Sequence, residues 1–179
     1  DRLIMYLDTS TPETILKLNN QEYRYNFDHD LAEKLLKFIH DKLQENSKTL
    51  QDVTEITFMS GPGSFTGLRI GIAAVKALGM SLEKPCAAVS TLEALAYNLQ
   101  SFSGIICAAM DARCNQVYTA FFESDGTFVK RLCEDRAVST DVLFEDIKNY
   151  VSEKGEKVML VGDGANLCFK KFGDEFVKM

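Results

Sequence analysis

Apolar and polar positions change period several times along the 179 residues, and each change marks an element. Residues 3–8, LIMYLD, form a continuous apolar, β-prone run that predicts a buried strand ending at Asp8. TSTPE then turns the chain. TILKLN and EYRYNFD alternate with period two across a short polar turn at Asn19–Gln21, which predicts a hairpin. From Asp30 the period becomes helical and runs to about Asn46, with Asp30 as N-cap and Glu33 at capping-box spacing. EITFMS (55–60) predicts another strand, a glycine-rich loop follows, and a second helical stretch spans about Phe65 to Leu82. Pro85 introduces a short strand, CAAVS, and Thr91 caps a helix reading TLEALAYNL.

The second half repeats this order in shorter form. GIICAAMD (104–111) is a strand ending in Asp111, QVYTAFFES follows a tight turn, and TFVKRLCEDRAV follows the turn signal Asp125-Gly126. A helix behind Ser139 and the strand of KVMLVGDGA lead into a Gly-x-Gly loop and a short helix. Asp8 and Asp111 each end the first strand of their half. Gly61-Pro62-Gly63 and Gly162-Asp163-Gly164 each follow the fourth strand. This is an internal duplication of βββαβα units, which predicts an α/β protein with two mixed sheets and helices on both faces, divided into residues 1–102 and 103–179.

Both long helices of the first half carry more apolar surface than the roughly 100° arc one core face needs. In the earlier helix Leu31, Leu35, Leu36, Phe38, Ile39 and Leu43 spread widely. In the later one Arg69 and Lys76 occupy a narrow stripe, Leu68, Ile72 and Val75 a second, and Gly67, Gly71, Ala74 and Leu78 a third. A fully buried helix and a partner surface both account for this. Since close helix–helix approach needs small residues, the small stripe is the one expected to face a partner.

Between strand and helix, SGPGSFTG offers an anion site in principle, because a helix start presents free N–H groups and a positive dipole end. The Lys of a P-loop is absent, and neither Ser60 nor Ser64 has the glycine flanks of a nucleophile elbow. A tight turn whose glycines permit close packing is the plainer reading. Asp8-Thr9-Ser10-Thr11 sits where sugar kinases, heat-shock ATPases and actin carry an Asp-x-Gly-Thr phosphate loop, but side chains here hinder backbone approach to phosphate. Asp8 and Asp111 read first as turn acceptors and second as paired Mg²⁺ carboxylates.

Composition narrows the function classes. The net charge of −6 argues against a chain that grips nucleic acid by itself, although a local basic patch stays open. Five cysteines at wide spacings without CxxC predict free thiols in a reducing cytoplasm. His29 and His40 lack Cys or His at ligand spacing, so no metal site is expected. No apolar run of about 18 residues is expected to span a membrane, and no signal peptide is expected before the first strand.

SGPGSFTGLRIG (60–71), with LDTST before it and MDAR (110–113) after it, closely resembles the TsaB (YeaZ) family over nearly the whole chain. The resemblance implies an actin-like, sugar-kinase-like fold of two RNase H-like halves. It implies a cytoplasmic, non-catalytic subunit of the bacterial machinery that adds a threonylcarbamoyl group to adenine 37 of tRNAs reading codons that start with A. The implied partners are a TsaD-like transferase, a TsaE-like ATPase and, through the complex, tRNA. Docking would use the helices at about 30–46 and 65–82, with the transferase or with a second copy, through Leu35, Phe38, Ile39, Gly67, Leu68, Gly71, Ala74, Val75 and Leu78. Ser60, Gly61, Pro62, Gly63, Ser64 and Arg69 would lie near a nucleotide site of the assembled complex, and Asp8, Thr9 and Asp111 mark a residual one. ATP or ADP is expected only in that complex, with no cofactor in the isolated chain. The chain departs from the family in its short stretch after Gly164. Two other readings stay in play: a stand-alone ATPase or kinase of the same fold, and a hydrolase using Ser64 or a free Cys, for which no base is visible. A metalloprotease would need an HExxH-type motif, which is absent.

Overall fold

In the computed structural model, which describes residues 1–179, the chain divides into two units, Asp1–Thr91 and Leu92–Met179. The first is built on a five-stranded sheet in the order β3-β2-β1-β4-β5, with β1 Ile4–Asp8, β2 Glu13–Leu18, β3 Gln21–Asn26, β4 Glu55–Gly61 and β5 Cys86–Ser90. The first three strands form an antiparallel meander, and β4 and β5 add in parallel. Parallel neighbours need crossovers, supplied by α1 (Leu31–Glu45) and α2 (Phe65–Leu82). The β2–β3 turn is Asn19-Asn20, where Asn19 takes positive φ and its side chain accepts from the Ile4 N–H at 2.8 Å. That bond ties the hairpin to β1.

Alternation along the strands sends Met5, Leu7, Leu16, Leu18 and Ile56 into one core with Leu35, Ile39 and Leu43 of α1 and Val75 and Leu78 of α2. Both helices of this unit therefore share one face of the sheet. The capping box predicted at Asp30 does not form: the residue is not extended, and its carboxylate pairs with Lys34 at 2.8 Å. Ser64 does cap α2, its hydroxyl accepting from the Gly67 N–H. By length and composition α2 is long and apolar enough to cross a membrane, with 18 residues and mean hydropathy 1.3, contrary to the expectation from apolar runs alone. Yet one face of α2 lies in the unit's own core, and Arg69 and Lys76 interrupt the other.

The small stripe of α2 faces inward, not toward a partner. The buried residues of α2 are Gly67, Gly71 and Leu78 of that stripe together with Val75 and Gly79, while Ala74 is half-buried. A Cβ on Gly67 would lie 2.2 Å from the Thr9 carbonyl oxygen, and one on Gly71 would lie 2.1 Å from the Thr9 hydroxyl oxygen. The small side chains admit the β1–β2 turn, not a second helix.

The second unit repeats the plan around β6 (Ser103–Arg113), β7 (Gln116–Asp125), β8 (Val129–Arg131), β9 (Arg136–Ser139), β10 (Val158–Val161) and β11 (Val177–Lys178). The order is β11-β10-β6-β7-β8, and β9 also pairs with β7. The stretch predicted as one strand after Gly126 is thus two: it breaks at Leu132–Asp135, where the Cys133 sulfur accepts from the Phe121 N–H and Arg131 pairs with Asp135. Helices flank both faces. Ile105, Cys107 and Ala109 point to α4 (Thr140–Lys154) and α5 (Ala165–Phe172), while Ile106 and Ala108 point to α3 (Thr91–Tyr97). The division falls earlier than the 102/103 boundary read from the sequence, because Leu92 and Ala96 of α3 pack in the second unit's core.

Gly67→Ala should destabilise the chain by roughly 1–3 kcal/mol through overpacking, because the clashing atom is backbone and cannot rotate away. Gly71→Ala should do less, since the Thr9 side chain can move. Denaturant unfolding of the two variants measures this; equal and negligible effects would contradict the packing of α2 on the turn.

Candidate functional site

The glycine loop and the β1–β2 turn form one hydrogen-bonded unit. The Asp8 carboxylate accepts from the Ser10 N–H at 2.8 Å and from its hydroxyl at 2.6 Å. The Thr9 hydroxyl donates to the Gly67 carbonyl at 2.7 Å, and the Ser64 N–H donates to the Ser10 carbonyl at 2.7 Å. Asp8, Thr9 and Ser10 are all buried. Across the loop, the Ser60 hydroxyl donates to the Val89 carbonyl at 3.1 Å and the Thr91 hydroxyl to the Pro62 carbonyl at 2.6 Å. Gly61 holds φ at +103°, a conformation L side chains rarely adopt. A Cβ on Gly63 would stand 2.6 Å from that of Ser10. Gly63 therefore lets the loop pack on Ser10 of the β1–β2 turn, and Gly61 lets the chain turn beside Leu68.

The second unit repeats the arrangement. The Asp111 carboxylate accepts from the Arg113 N–H at 2.7 Å, the same i to i+2 turn that Asp8 makes. The Gly164 N–H donates to the Ala109 carbonyl at 3.0 Å, and the Asp163 carboxylate accepts from the Asp111 N–H at 2.8 Å. Two differences separate the copies. Asp111 is exposed where Asp8 is buried, and β6 runs past it to Arg113 through a bulge. Burial, and then the Asp8 carboxylate, push the Tyr6 phenol up to about 12. Asp8 lies in the first unit and Asp111 in the second.

Of the residues expected on a docking surface, Leu35, Ile39, Gly67, Gly71, Val75 and Leu78 are buried inside their own unit. Phe38, Leu68 and Ala74 are half-buried. The outward face of α2 instead shows Phe65 (73% exposed), Arg69, Lys76 and Met80 (81% exposed). The Arg69 guanidinium sits over the Phe65 ring at 5.1 Å, an arrangement that holds both side chains on the surface. On α1, Leu36 is 53% exposed, and Tyr25 of β3 stacks near Phe27 and Phe38 while remaining open. Sequence reasoning passed over Phe65 and Met80. Their signal was position: they share the stripe of Arg69 and Lys76, and a stripe that carries the charges is the one facing solvent.

All five cysteines are free; Cys86 and Cys114 are exposed, Cys107 and Cys168 buried. Burial pushes the Cys107 thiol up to about 12 and that of Cys168 up to about 11, which removes both as thiolate nucleophiles near neutral pH. A thiol-specific reagent at neutral pH should label Cys86 and Cys114 in the folded chain and Cys107 and Cys168 only after unfolding. Mass mapping of labelled peptides reads this; rapid native labelling of Cys107 would contradict the packing of the second core.

The family model for TsaD, tRNA N6-adenosine threonylcarbamoyltransferase, matches residues 27–171. The chain is 35% identical over 129 residues to the tRNA threonylcarbamoyladenosine biosynthesis protein TsaB of Bacillus subtilis (strain 168), covering 72% of this chain and 55% of that protein. It is 32% identical over 128 residues to the TsaB protein of Escherichia coli (strain K12), covering 68% and 55%. The chain thus spans about half the length of these curated relatives. Among solved structures, YeaZ from Pseudomonas aeruginosa superposes with a TM-score of 0.65 at 29% identity, over 79% of this chain and 68% of that one. A Bacteroides thetaiotaomicron protein described as having an actin-like ATPase fold matches with a TM-score of 0.50 at 10% identity, over 98% and 90%, a likeness of fold alone. With its duplicated mixed sheets, its loop-to-helix glycines and a family model that matches most of its length, the chain belongs to the TsaD-type threonylcarbamoyltransferase family, as a TsaB (YeaZ) protein with the actin-like fold.

Proposed function

We propose that the chain is a non-catalytic assembly subunit for the addition of a threonylcarbamoyl group to adenine 37 of tRNA in the cytoplasm. It acts by docking a TsaD-like transferase with the outer faces of α1 and α2; a TsaE-like ATPase joins, and tRNA and ATP or ADP are engaged by the assembly. The names of the TsaB relatives support the pathway. The observation that carries the docking mode is α2 itself. Its inner face is spent on its own unit, yet large apolar side chains, Phe65 and Met80, remain on the outside. Exposed aromatic and methionine side chains beside a cation are the composition of an interface centre. The loop of Ser60, Gly61, Pro62, Gly63 and Ser64 ends at this face and, with Arg69, would border a nucleotide in the complex. Against a stand-alone ATPase, the Asp8 oxygen that a phosphate-loop carboxylate would offer is engaged by Ser10, and Thr9 by α2.

The test is co-purification with a TsaD-like protein and a tRNA modification assay with and without this chain. Phe65→Asp and Met80→Asp should each weaken docking at least about tenfold, by the 1.4 kcal/mol that corresponds to that factor, with unfolding unchanged. Phe128→Asp, at a residue 61% exposed in the second unit, should leave docking intact. Unchanged docking in both α2 variants would remove this face from the interface. Loss of self-association alone would favour a homodimer, and ATP turnover by the chain alone, abolished by Asp8→Asn, would establish the enzyme reading.

A further inference from the structure

The first sheet ends on an open strand edge. β5, CAAVS, lies at the rim of the order β3-β2-β1-β4-β5, and its Cys86, Ala87 and Ala88 are exposed. The Ile56 N–H donates to the Pro85 carbonyl at 3.0 Å, and the register pairs Ile56 with Cys86. Backbone groups of a strand alternate between its two sides, so Pro85, Ala87 and Val89 serve β4, while the N–H and C=O groups of Cys86 and Ala88 point out of the sheet. The other rim of this sheet is defended by charge: Glu22 and Arg24 of β3 are ion-paired with each other and with Lys17 and Glu13. The rims of the second sheet, β11 and β8, are only two and three residues long. Five residues without a charge or a proline leave β5 receptive to a further strand.

Beside this edge, α2 and β5 form a groove of about 430 Å³ lined by Phe58, Val75, Gly79 and Met80, with Lys76 and Lys84 as its charges and no carboxylate. Gly79 lets the strand lie close to the helix: a Cβ there would stand 2.5 Å from the Cys86 sulfur. Cys86 and Ala88 are in register with Ile56 and Phe58, which face the α2 side of the sheet. Every second side chain of an added strand would therefore project over the groove. We propose that β5 takes up an extended peptide segment of another protein as a sixth strand. The backbone of that segment bonds the outward groups of Cys86 and Ala88, an aliphatic side chain fills the groove, and a carboxylate two residues away meets Lys76 or Lys84. Main-chain bonds give such strand addition its affinity, and pockets for alternate side chains give it specificity. A second copy of β5 does not fit: CAAVS has no carboxylate for the lysines, and its alanines leave the groove unfilled. The groove adjoins the docking face proposed for α2 through Lys76 and Met80, but the inference is tested on this chain alone, so its failure would leave the docking reading standing.

The experiment is amide-detected NMR of the isotope-labelled chain, titrated with the end-blocked peptide TVTLTET, whose Val, Leu and Glu share one face, and separately with TVTLTKT. The acidic peptide should bind at least about tenfold tighter, because its carboxylate meets lysines and the ammonium of the other is repelled. At saturation it should slow hydrogen exchange at the Cys86 and Ala88 amides, whereas the Ala87 amide, bonded to β4, should be protected with or without peptide. Ala88→Pro removes an outward N–H and spares the ladder to β4, a place where an edge strand tolerates proline. It should keep the parent's thermal unfolding and weaken TVTLTET about tenfold, the loss of one hydrogen bond at an interface. If Ala88→Pro unfolds, Lys84→Glu serves as the second variant and should reverse the preference between the two peptides. No binding of TVTLTET at millimolar concentration, equal affinity for both peptides, protection absent at Cys86 and Ala88, or unchanged affinity in the folded variants would each overturn the proposal. So would self-association of the parent chain that Ala88→Pro abolishes, since the edge would then belong to a second copy.

Discussion

The contact on which the first unit depends is the seat of α2 on the turn after β1. Thr9 donates its hydroxyl to the Gly67 carbonyl, and Ser10 receives the Ser64 N–H. Each such bond contributes only about 1 kcal/mol net, but together they set where α2 begins and which way it faces. Gly67 and Gly71 are small because the Thr9 backbone and side chain occupy the space a Cβ would need. Once these two positions face inward, the geometry of a 3.6-residue turn sends Phe65, Arg69, Lys76 and Met80 outward. The internal packing of a turn thereby decides which residues the helix offers to the outside.

The second unit shows how much of this belongs to the duplicated plan and how much to the individual sequence. Asp111 makes the same i to i+2 bond as Asp8, but the loop bond differs: Gly164 bonds Ala109, two residues before Asp111, whereas Ser64 bonds Ser10, two residues after Asp8. Burial differs too. Asp8 is enclosed under α2, whereas Asp111 stands on a strand that continues past it through a bulge. The first copy has become a locked joint. The second keeps its carboxylate at the surface, where it accepts from the Arg113 N–H, while the Asp111 N–H donates to the Asp163 carboxylate.

Much of the architecture was legible before any coordinates. Period-two runs such as QVYTAFFES alternate between two cores because successive side chains of a strand point to opposite faces, and Phe121 and Phe122 fall in separate clusters as that rule requires. The repeated strand-ending aspartates and Gly-x-Gly loops disclosed the duplication. The capping box at Asp30 misled because spacing alone does not say whether the cap residue is extended, and the Lys34 ammonium took the carboxylate. The break between β8 and β9 was hidden since a cysteine sulfur, not a polar turn, receives the Phe121 N–H there.

Three things were determined by the sequence alone: the α/β class, the two-fold repetition, and the surplus of apolar surface on α1 and α2, because each follows from periodicity and composition within a single element. The orientation of α2 was decided only by the tertiary structure. A stripe of Gly67, Gly71, Ala74 and Leu78 is equally suited to meet a partner helix or a tight turn, and the choice rests on Thr9, 58 positions before Gly67 in the chain. The bond that Asp8 makes is local, to the N–H and hydroxyl of Ser10 two residues on, and was readable as a turn; its burial was not, because that depends on which distant residues pack over the turn.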